Sequence, residues 1–356
     1  MYREHTISVI VPAYNEEGFI GNVIRDMPEF VDRIYVIDDC STDGTWEEIQ
    51  ATVRSAEEER VKTQAPSGEF ETAVTDGGTK SLLEQRAVVH GLSGRVVPIQ
   101  HRENRGAGGA IKTGYLAALQ DKVDISVTVD GDGQMDLSQM TTLLDPIVEG
   151  KADYAKGNRL LYADYRSNMP KWRFFGNSIL TFLTKIASGY WKTMDPQNGY
   201  TAISHRALDN AEIEDMYEYY GYCNDLLVKL NAKGMRVADV ALPAIYGEEE
   251  SSIKYPEYIR KVSGMLLKNF LWRLKTRYLV LDFHPLALFY YFGAAMVTLG
   301  MVGGGWSVYV GLFGTESFFV RSSLSLMIFT MGSMFLMFAM LFDMQANESR
   351  EVQVRE

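Results

Sequence analysis

Asp130-Gly131-Asp132-Gly133-Gln134 comes straight after the apolar run Ile125-Ser126-Val127-Thr128-Val129. Two carboxylates two positions apart at a strand end, with a side-chain amide two further on, can converge on a hard divalent ion that also holds a diphosphate. Oxygen donors of this kind suit Mg²⁺ or Mn²⁺. The same string is also ordinary turn chemistry, so a solvated acidic turn is the competing reading. An EF-hand is disfavoured, because the Glu needed at loop position 12 is replaced by Thr141. A second group is cationic: Lys156-Gly157-Asn158-Arg159, then Pro170-Lys171-Trp172-Arg173. Two guanidinium groups with lysines nearby can bind clustered phosphate oxygens through charge-assisted hydrogen bonds. Such a patch is needed here, because 46 acidic against 35 basic residues leave a formal net charge of -11. That balance argues against nucleic acid as a partner. Two distant cysteines, Cys40 and Cys223, and five scattered histidines suggest neither a disulfide framework nor a zinc site.

The elements that must place these groups follow from periodicity. Strand-like runs at Ile7 to Pro12, Arg33 to Ile37, Val96 to Gln100 and Ile125 to Val129 alternate with segments of helical period. That order predicts an α/β domain with a parallel, doubly wound sheet over residues 1–255, whose ligands bind beyond the carboxyl ends of the strands. The polar clusters fall there: Asn15, Glu16 and Glu17; Asp38 and Asp39; Asp130 and Asp132. Between Glu57 and Arg95 the period weakens, which reads as an inserted excursion without an assigned role.

After Pro285 the composition changes. Leu286 to Phe313 and Ser322 to Phe342 contain no charged residue, and each exceeds the roughly 20 apolar residues that cross a bilayer core. The short linker between them predicts a hairpin in 285–343, and its glycines at 293, 300, 303, 304 and 305 suit close helix packing and self-association. Upstream, Tyr258 to Tyr278 sets Arg260, Lys261, Lys268, Arg273, Lys275 and Arg277 among leucines and aromatics, the pattern of an interfacial amphipathic helix over about 256–284. The positive-inside rule then places the large domain and the tail 344–356 in the cytoplasm of a two-span membrane protein. The polar start MYREH does not read as a signal peptide.

Four segments in order, V-P-A-Y-N-E-E (11–17), V-I-D-D-C-S-T-D-G-T (36–45), N-R-G-A-G-G-A-I-K-T-G (104–114) and V-D-G-D-G-Q (129–134), resemble the family 2 glycosyltransferases with a GT-A fold. The resemblance spans roughly residues 5–255 and extends to the polyprenyl-phosphate glycosyltransferases similar to dolichyl-phosphate mannose synthase. It implies that Pro12, Tyr14, Glu16 and Asp39 hold the nucleoside of a nucleotide sugar. It likewise implies that Asp130 and Gly131 lie beside ribose and phosphates, and that Asp132 with Gln134 binds Mg²⁺ or Mn²⁺. Arg159 and Arg173 match the clamp for a lipid phosphate, and Asp195, in Asp195-Pro196-Gln197-Asn198-Gly199-Tyr200, matches the acceptor side. Asp195 reads equally well as a structural loop residue, and Asp225 equally as a catalytic base or a plain helix residue. One departure is the family's Arg followed by G-E-S-K-L, which here is Tyr246-Gly247-Glu248-Glu249-Glu250-Ser251-Ser252-Ile253 with no Arg. The implied activity is inverting transfer of one sugar from a nucleotide sugar to polyprenyl phosphate at the cytoplasmic membrane face. The alternatives are transfer to a glycan hydroxyl, which would make Asp225 essential, and a silent membrane scaffold.

Overall fold

The computed structural model describes residues 1–63, 77–160, 171–242, 255–313 and 318–354, and side chains among them except at 57–63, 77–81, 171–175, 177, 255–258 and 318. Nine strands form one sheet: β1 (Ile7–Ala13), β2 (Arg33–Asp38), β3 (Ala87–Val89), β4 (Val96–His101), β5 (Ile125–Thr128), β6 (Tyr154–Asn158), β7 (Thr201–Ser204), β8 (Val237–Ala241) and β9 (Glu351–Val354). Their order is β3-β4-β2-β1-β5-β7-β6-β8-β9. The central strands are buried on both faces, which is why they read as continuous Val/Ile runs. Val9, Val11, Ile34 and Val36 face one core, while Ile10, Tyr35 and Ile37 face the other, the alternation that a pleated strand imposes.

The expected wholly parallel sheet is corrected to a mixed one. β1, β2, β4 and β5 pair in parallel, but β7 runs antiparallel between β5 and β6, and β3 antiparallel on the β4 edge. Since β6 and β8 return to the direction of β5, the carboxyl ends of β1, β2, β5, β6 and β8 share one rim with the start of β7. Around the sheet pack α1 (Ile20–Arg25), α2 (Thr45–Thr63), α3 (Gly77–Arg86), α4 (Ala107–Gln120), α5 (Met140–Val148), α6 (Lys171–Ser188), α7 (His205–Asn210) and α8 (Tyr222–Ala232). The 57–95 excursion thus includes the end of α2, all of α3 and the edge strand β3; residues 64–76 lie outside the described residues.

Helix α9 (Tyr255–Lys275) continues into a π-helical turn, Thr276–Leu281. Val262, Leu266 and Leu274 are buried, while Leu267 and Leu271 are exposed together with Arg260, Lys261, Lys268 and Lys275. That outer face is amphipathic in the interfacial sense. Arg273 and Arg277 depart from the expected basic surface, because both are buried. Arg273 donates to Asp343 at 2.7 and 3.1 Å and to the Ile186 carbonyl at 3.1 Å, and Arg277 donates to Asn231. Burial alone would lower the Arg273 pKa, but the Asp343 carboxylate raises it above the ordinary guanidinium value.

Two helices long and apolar enough to cross a membrane follow, α10 (Leu286–Phe313) and α11 (Phe318–Asn347). They pack antiparallel where side chains are smallest: a Cβ on Gly300 would lie 2.7 Å from the Phe329 backbone. Their outer faces expose Leu299, Val302, Leu312, Val320 and Leu326, more contiguous apolar surface than a water-facing helix pair tolerates. Most of the tail 344–356 belongs to other elements, the end of α11 and a last strand. After a 3-10 turn at Glu348–Arg350 the chain adds β9 to the sheet, parallel to β8.

The pair Arg273–Asp343, both fully buried, ties α11 to α6, α8 and α9. Asp343→Ala is expected to destabilise the protein by about 3–5 kcal/mol, since it leaves a buried guanidinium without its counter-ion. The check is thermal unfolding of the detergent-purified protein against wild type.

Candidate active site

The acidic wall of the rim is built by β1, β2 and β5. Asp130 to Gln134 form the turn that leaves β5, in which the Gln134 N–H donates to Asp132 Oδ1 at 2.9 Å, an Asx turn that fixes one carboxylate oxygen. Gly131 is required by close approach: a Cβ there would lie 2.8 Å from the Pro12 carbonyl, so β1 and β5 ends touch through backbone. A cavity of about 500 Å³ between α1 and this turn is lined by Phe19, Asn22, Val23, Asp132, Met135 and Leu137. Tyr14 stands half-exposed on the same rim. The Glu16 N–H donates to Thr45 Oγ1 at 2.7 Å, which fastens the 14–17 loop to the start of α2.

Asp39 occupies a more internal place than the resemblance implies. Its carboxylate accepts from the backbone N–H groups of Arg105 at 2.8 Å and Gly106 at 2.7 Å, and lies 2.6 Å from His101 Nδ1. It therefore caps the entry to α4, and any contact it makes to a nucleoside is made by a residue that also holds the 104–106 loop. The glycines of that loop serve packing: a Cβ on Gly108 would lie 2.7 Å from the Glu218 carbonyl oxygen, and the Gly109 N–H donates to that oxygen at 2.8 Å. The Gly-rich string is thus the seat of the 217–221 loop.

Glu218 is itself gripped by Arg86 at 2.7 Å and Lys112 at 2.9 Å, with Arg105 at 3.6 Å. Burial pushes its carboxyl up, but Arg86 and Lys112 outweigh this and hold it at about 2. A carboxyl with a depressed folded-state pKa adds stability above its free value of about 4.3, and that stability is lost as pH falls toward 2. The melting-temperature gap between wild type and Glu218→Gln is accordingly expected to be widest above pH 5 and to shrink toward pH 2, as thermal unfolding across that range would register.

The cationic wall is built by β6, β8 and the segment entering β7. Arg159 forms a two-pronged pair with Asp195, Nε to Oδ2 at 2.7 Å and Nη2 to Oδ1 at 2.9 Å. Asp195 is 2% exposed and sits at φ +47°, a left-handed conformation held by that pairing. Burial raises its pKa, yet Arg159 and then Lys156 bring it below the usual carboxylate range. Lys156, also buried, donates to Asp239 at 2.8 Å and to the Met194 carbonyl. Arg173 lies in the first turn of α6, on the described backbone but outside the described side chains. The structure thus brings Asp130, Gly131, Asp132, Gln134 and Pro12 together on one side and joins Arg159 to Asp195 on the other.

Asp225 is placed differently from a base in waiting. It is buried in the first turn of α8, where its oxygens accept from the Tyr217 N–H at 2.9 Å and Asn269 Nδ2 at 2.6 Å, with Lys229 at 3.4 Å. This is the work of a residue that fastens the 217–221 loop to α9. Sequence reasoning missed His101, Glu218, Asp239 and Glu351, since each is a lone residue whose partner is distant in the chain, and it set Lys156 in the phosphate-binding cluster, whereas Lys156 is buried against Asp239.

Among the described residues no three His, Cys, Asp or Glu side chains gather as a metal cage. Two carboxylates and an amide fit a divalent ion that takes its other ligands from a diphosphate. The family model for glycosyl transferase family 2 matches residues 8–65 and 46–211. The chain belongs to that family. With membership comes the GT-A fold, and the two walls stand where its strands end. A UDP-N-acetylglucosamine--dolichyl-phosphate N-acetylglucosaminyltransferase of Methanococcus voltae is 29% identical over 68% of this chain and 86% of its own length. An undecaprenyl-phosphate mannosyltransferase of Micrococcus luteus is 26% identical over 68% of this chain and 84% of its own. Among solved structures, glucosyl-3-phosphoglycerate synthase from Mycobacterium tuberculosis, in complex with Mn²⁺, UDP and glucosyl-3-phosphoglycerate, matches with 19% identity and a TM-score of 0.46, covering 76% of this chain and 80% of that one.

Proposed function

We propose that this family 2 glycosyltransferase moves a single sugar from a nucleotide sugar to a polyprenyl phosphate, with inversion at the anomeric carbon, at the cytoplasmic face of a membrane spanned by α10 and α11. The observation that carries the reading is the contact between the site and α9. The 217–221 loop rests on α9, where a Cβ on Gly221 would lie 3.0 Å from Val262, and Asp225 holds Asn269 of the same helix. The exposed face of α9 mixes Leu267 and Leu271 with Arg260, Lys261, Lys268 and Lys275, which suits a headgroup layer. The two relatives named for dolichyl-phosphate and undecaprenyl-phosphate support the acceptor class.

In this reading an ionised phosphate oxygen of the lipid attacks C1 of the sugar. The new bond is C1–O–P, and the bond broken is C1–O to the nucleoside diphosphate, which departs with the electron pair. No proton need be removed from the nucleophile, so the rate rests on positioning and charge stabilisation. Arg159, fixed by Asp195, and Arg173 would align the lipid phosphate, while Pro12, Tyr14, Glu16, Asp39, Asp130 and Gly131 would hold the nucleotide. Asp132 and Gln134 would hold Mg²⁺ or Mn²⁺, which when bound neutralises charge on the leaving diphosphate.

The test incubates detergent-purified protein and Mg²⁺ or Mn²⁺ with short-chain polyprenyl phosphate, the matching polyprenol, and a panel of radiolabelled UDP-, GDP- and dTDP-sugars. Labelled lipid that forms only with the phosphorylated acceptor is the expected result. Label on the polyprenol hydroxyl and none on the lipid phosphate would overturn it.

A further inference from the structure

The chain between α6 and β7 has no regular structure from Gly189 to Tyr200; on its way to the buried Asp195 it is half-buried, with Thr193 covered and Lys192 exposed. Buried backbone without a ladder must find partners elsewhere, and here side chains supply them. The N–H groups of Trp191, Lys192 and Thr193 donate to the Glu351 carboxylate at 2.8, 2.6 and 2.8 Å, and the Thr193 hydroxyl adds a fourth bond at 3.2 Å. The Met194 N–H donates to Asp239 at 3.2 Å and its carbonyl accepts from Lys156. The Trp191 carbonyl accepts from Lys185 at 2.6 Å and that of Lys192 from Gln353 at 3.3 Å. The next residue is Asp195, locked on Arg159.

From this arrangement we propose that Glu351 is a positioning residue for sugar transfer: its carboxylate sets the course of residues 191–194, and so the orientation in which Asp195 presents Arg159 to the acceptor. The inference rests on the function proposed above. Pairing of β9 with β8 uses backbone groups and needs no carboxylate. Among the described residues Glu351 forms no ion pair within 4 Å, although burial raises its pKa. A half-buried charge satisfied by dipoles alone is a weak stabilising device. Its four accepted bonds fall three on Oε2 and one on Oε1, and three of them come from successive backbone N–H groups, a concave anion seat.

Glu351 stands four residues beyond Asn347, the last residue of α11. Asn347 bonds to Asn231 at 2.9 Å, and Arg273, paired with Asp343, donates to the Ile186 carbonyl near the end of α6. The segment that leaves the second apolar helix thus grips the acceptor-side loop at its middle, while Arg273 of α9, paired with Asp343 of that helix, holds the end of α6 from which the loop starts. Placement of the hairpin and placement of Arg159 become one geometric problem.

The test compares wild type with Glu351→Gln, which keeps one accepting oxygen and aims an amide at backbone donors. Three readouts are taken: hydrogen exchange of amides 191–193, affinity for UDP and GDP, and kcat/KM varied separately in donor and polyprenyl phosphate. The expected result is faster exchange at 191–193, at least a tenfold lower kcat/KM for the lipid phosphate, and nucleotide affinity within twofold of wild type. Unchanged exchange, an unchanged acceptor kcat/KM, or equal losses for donor and acceptor would each overturn the role. Should the glutamine variant fail to fold, Glu351→Asp, which keeps the charge and withdraws it by one methylene, takes the same three measurements. If wild type instead glycosylates a hydroxyl acceptor, the phosphate reading falls, and the exchange data with the same ratio on that acceptor decide Glu351 separately.

Discussion

Asp132→Ala is expected to lower turnover by about 10³-fold or more with the fold preserved. Asp132 is partly exposed and accepts a hydrogen bond from the Gln134 N–H, so truncation loses about 1 kcal/mol of local structure. The kinetic effect has a different origin. If Asp132 and Gln134 hold the divalent ion, the variant leaves the departing diphosphate's charge uncompensated in a chain of formal net charge -11. Mn²⁺ electron spin resonance in the presence of UDP or GDP separates this from a general defect: wild type should retain a bound signal and Asp132→Ala should not. A variant that keeps its turnover and works without metal would remove Asp132 from the role.

Much of the acidic wall was legible because it is local. Asp130, Asp132 and Gln134 lie within five residues, and the Val/Ile run before them forces a strand that must end where they begin. The same holds for Pro12 and Asp39, each at the end of a buried run. The cationic wall was less legible, since Arg159 gains its meaning from Asp195, 36 positions later, and no period links them. The antiparallel β7 could not be read either, because a four-residue strand, Thr201–Ser204, carries no directional signal. Arg273 and Arg277 misled for a physical reason: on a helix already rich in cations, a buried guanidinium has the same sequence signature as an exposed one. Its counter-ion, Asp343, lies 70 residues on, inside an otherwise apolar helix. A lone acid at such a place is itself a signal that something must neutralise it. The β9 strand lay hidden in a short polar tail, whose pairing is decided by the exposed edge of β8.

Arg159→Ala should combine the second large loss of activity with a loss of stability. Asp195 is 2% exposed, and removal of Arg159 leaves its charge buried without the partner that holds both oxygens. About 3 kcal/mol of destabilisation is expected, the lower end of the range for breaking a buried pair, since Arg159 is itself 24% exposed. Sugar transfer to the lipid phosphate should fall about 10²- to 10³-fold in kcat/KM while nucleotide affinity holds. Arg159→Lys restores the charge and not the two-pronged geometry, so it should recover more stability than rate. In wild type the depressed pKa of Asp195 means its contribution is present above the free value of about 3.9 and is lost as pH falls below that. Without Arg159, burial is expected to dominate and raise the folded-state pKa above the free value. The variant should then gain stability relative to wild type as pH falls from 7 toward 4. Thermal unfolding of both proteins at pH 7, 5.5 and 4 reads this directly: a gap that narrows toward pH 4 supports the buried pair, and a gap that stays constant means that Asp195 does not depend on Arg159 for its charge.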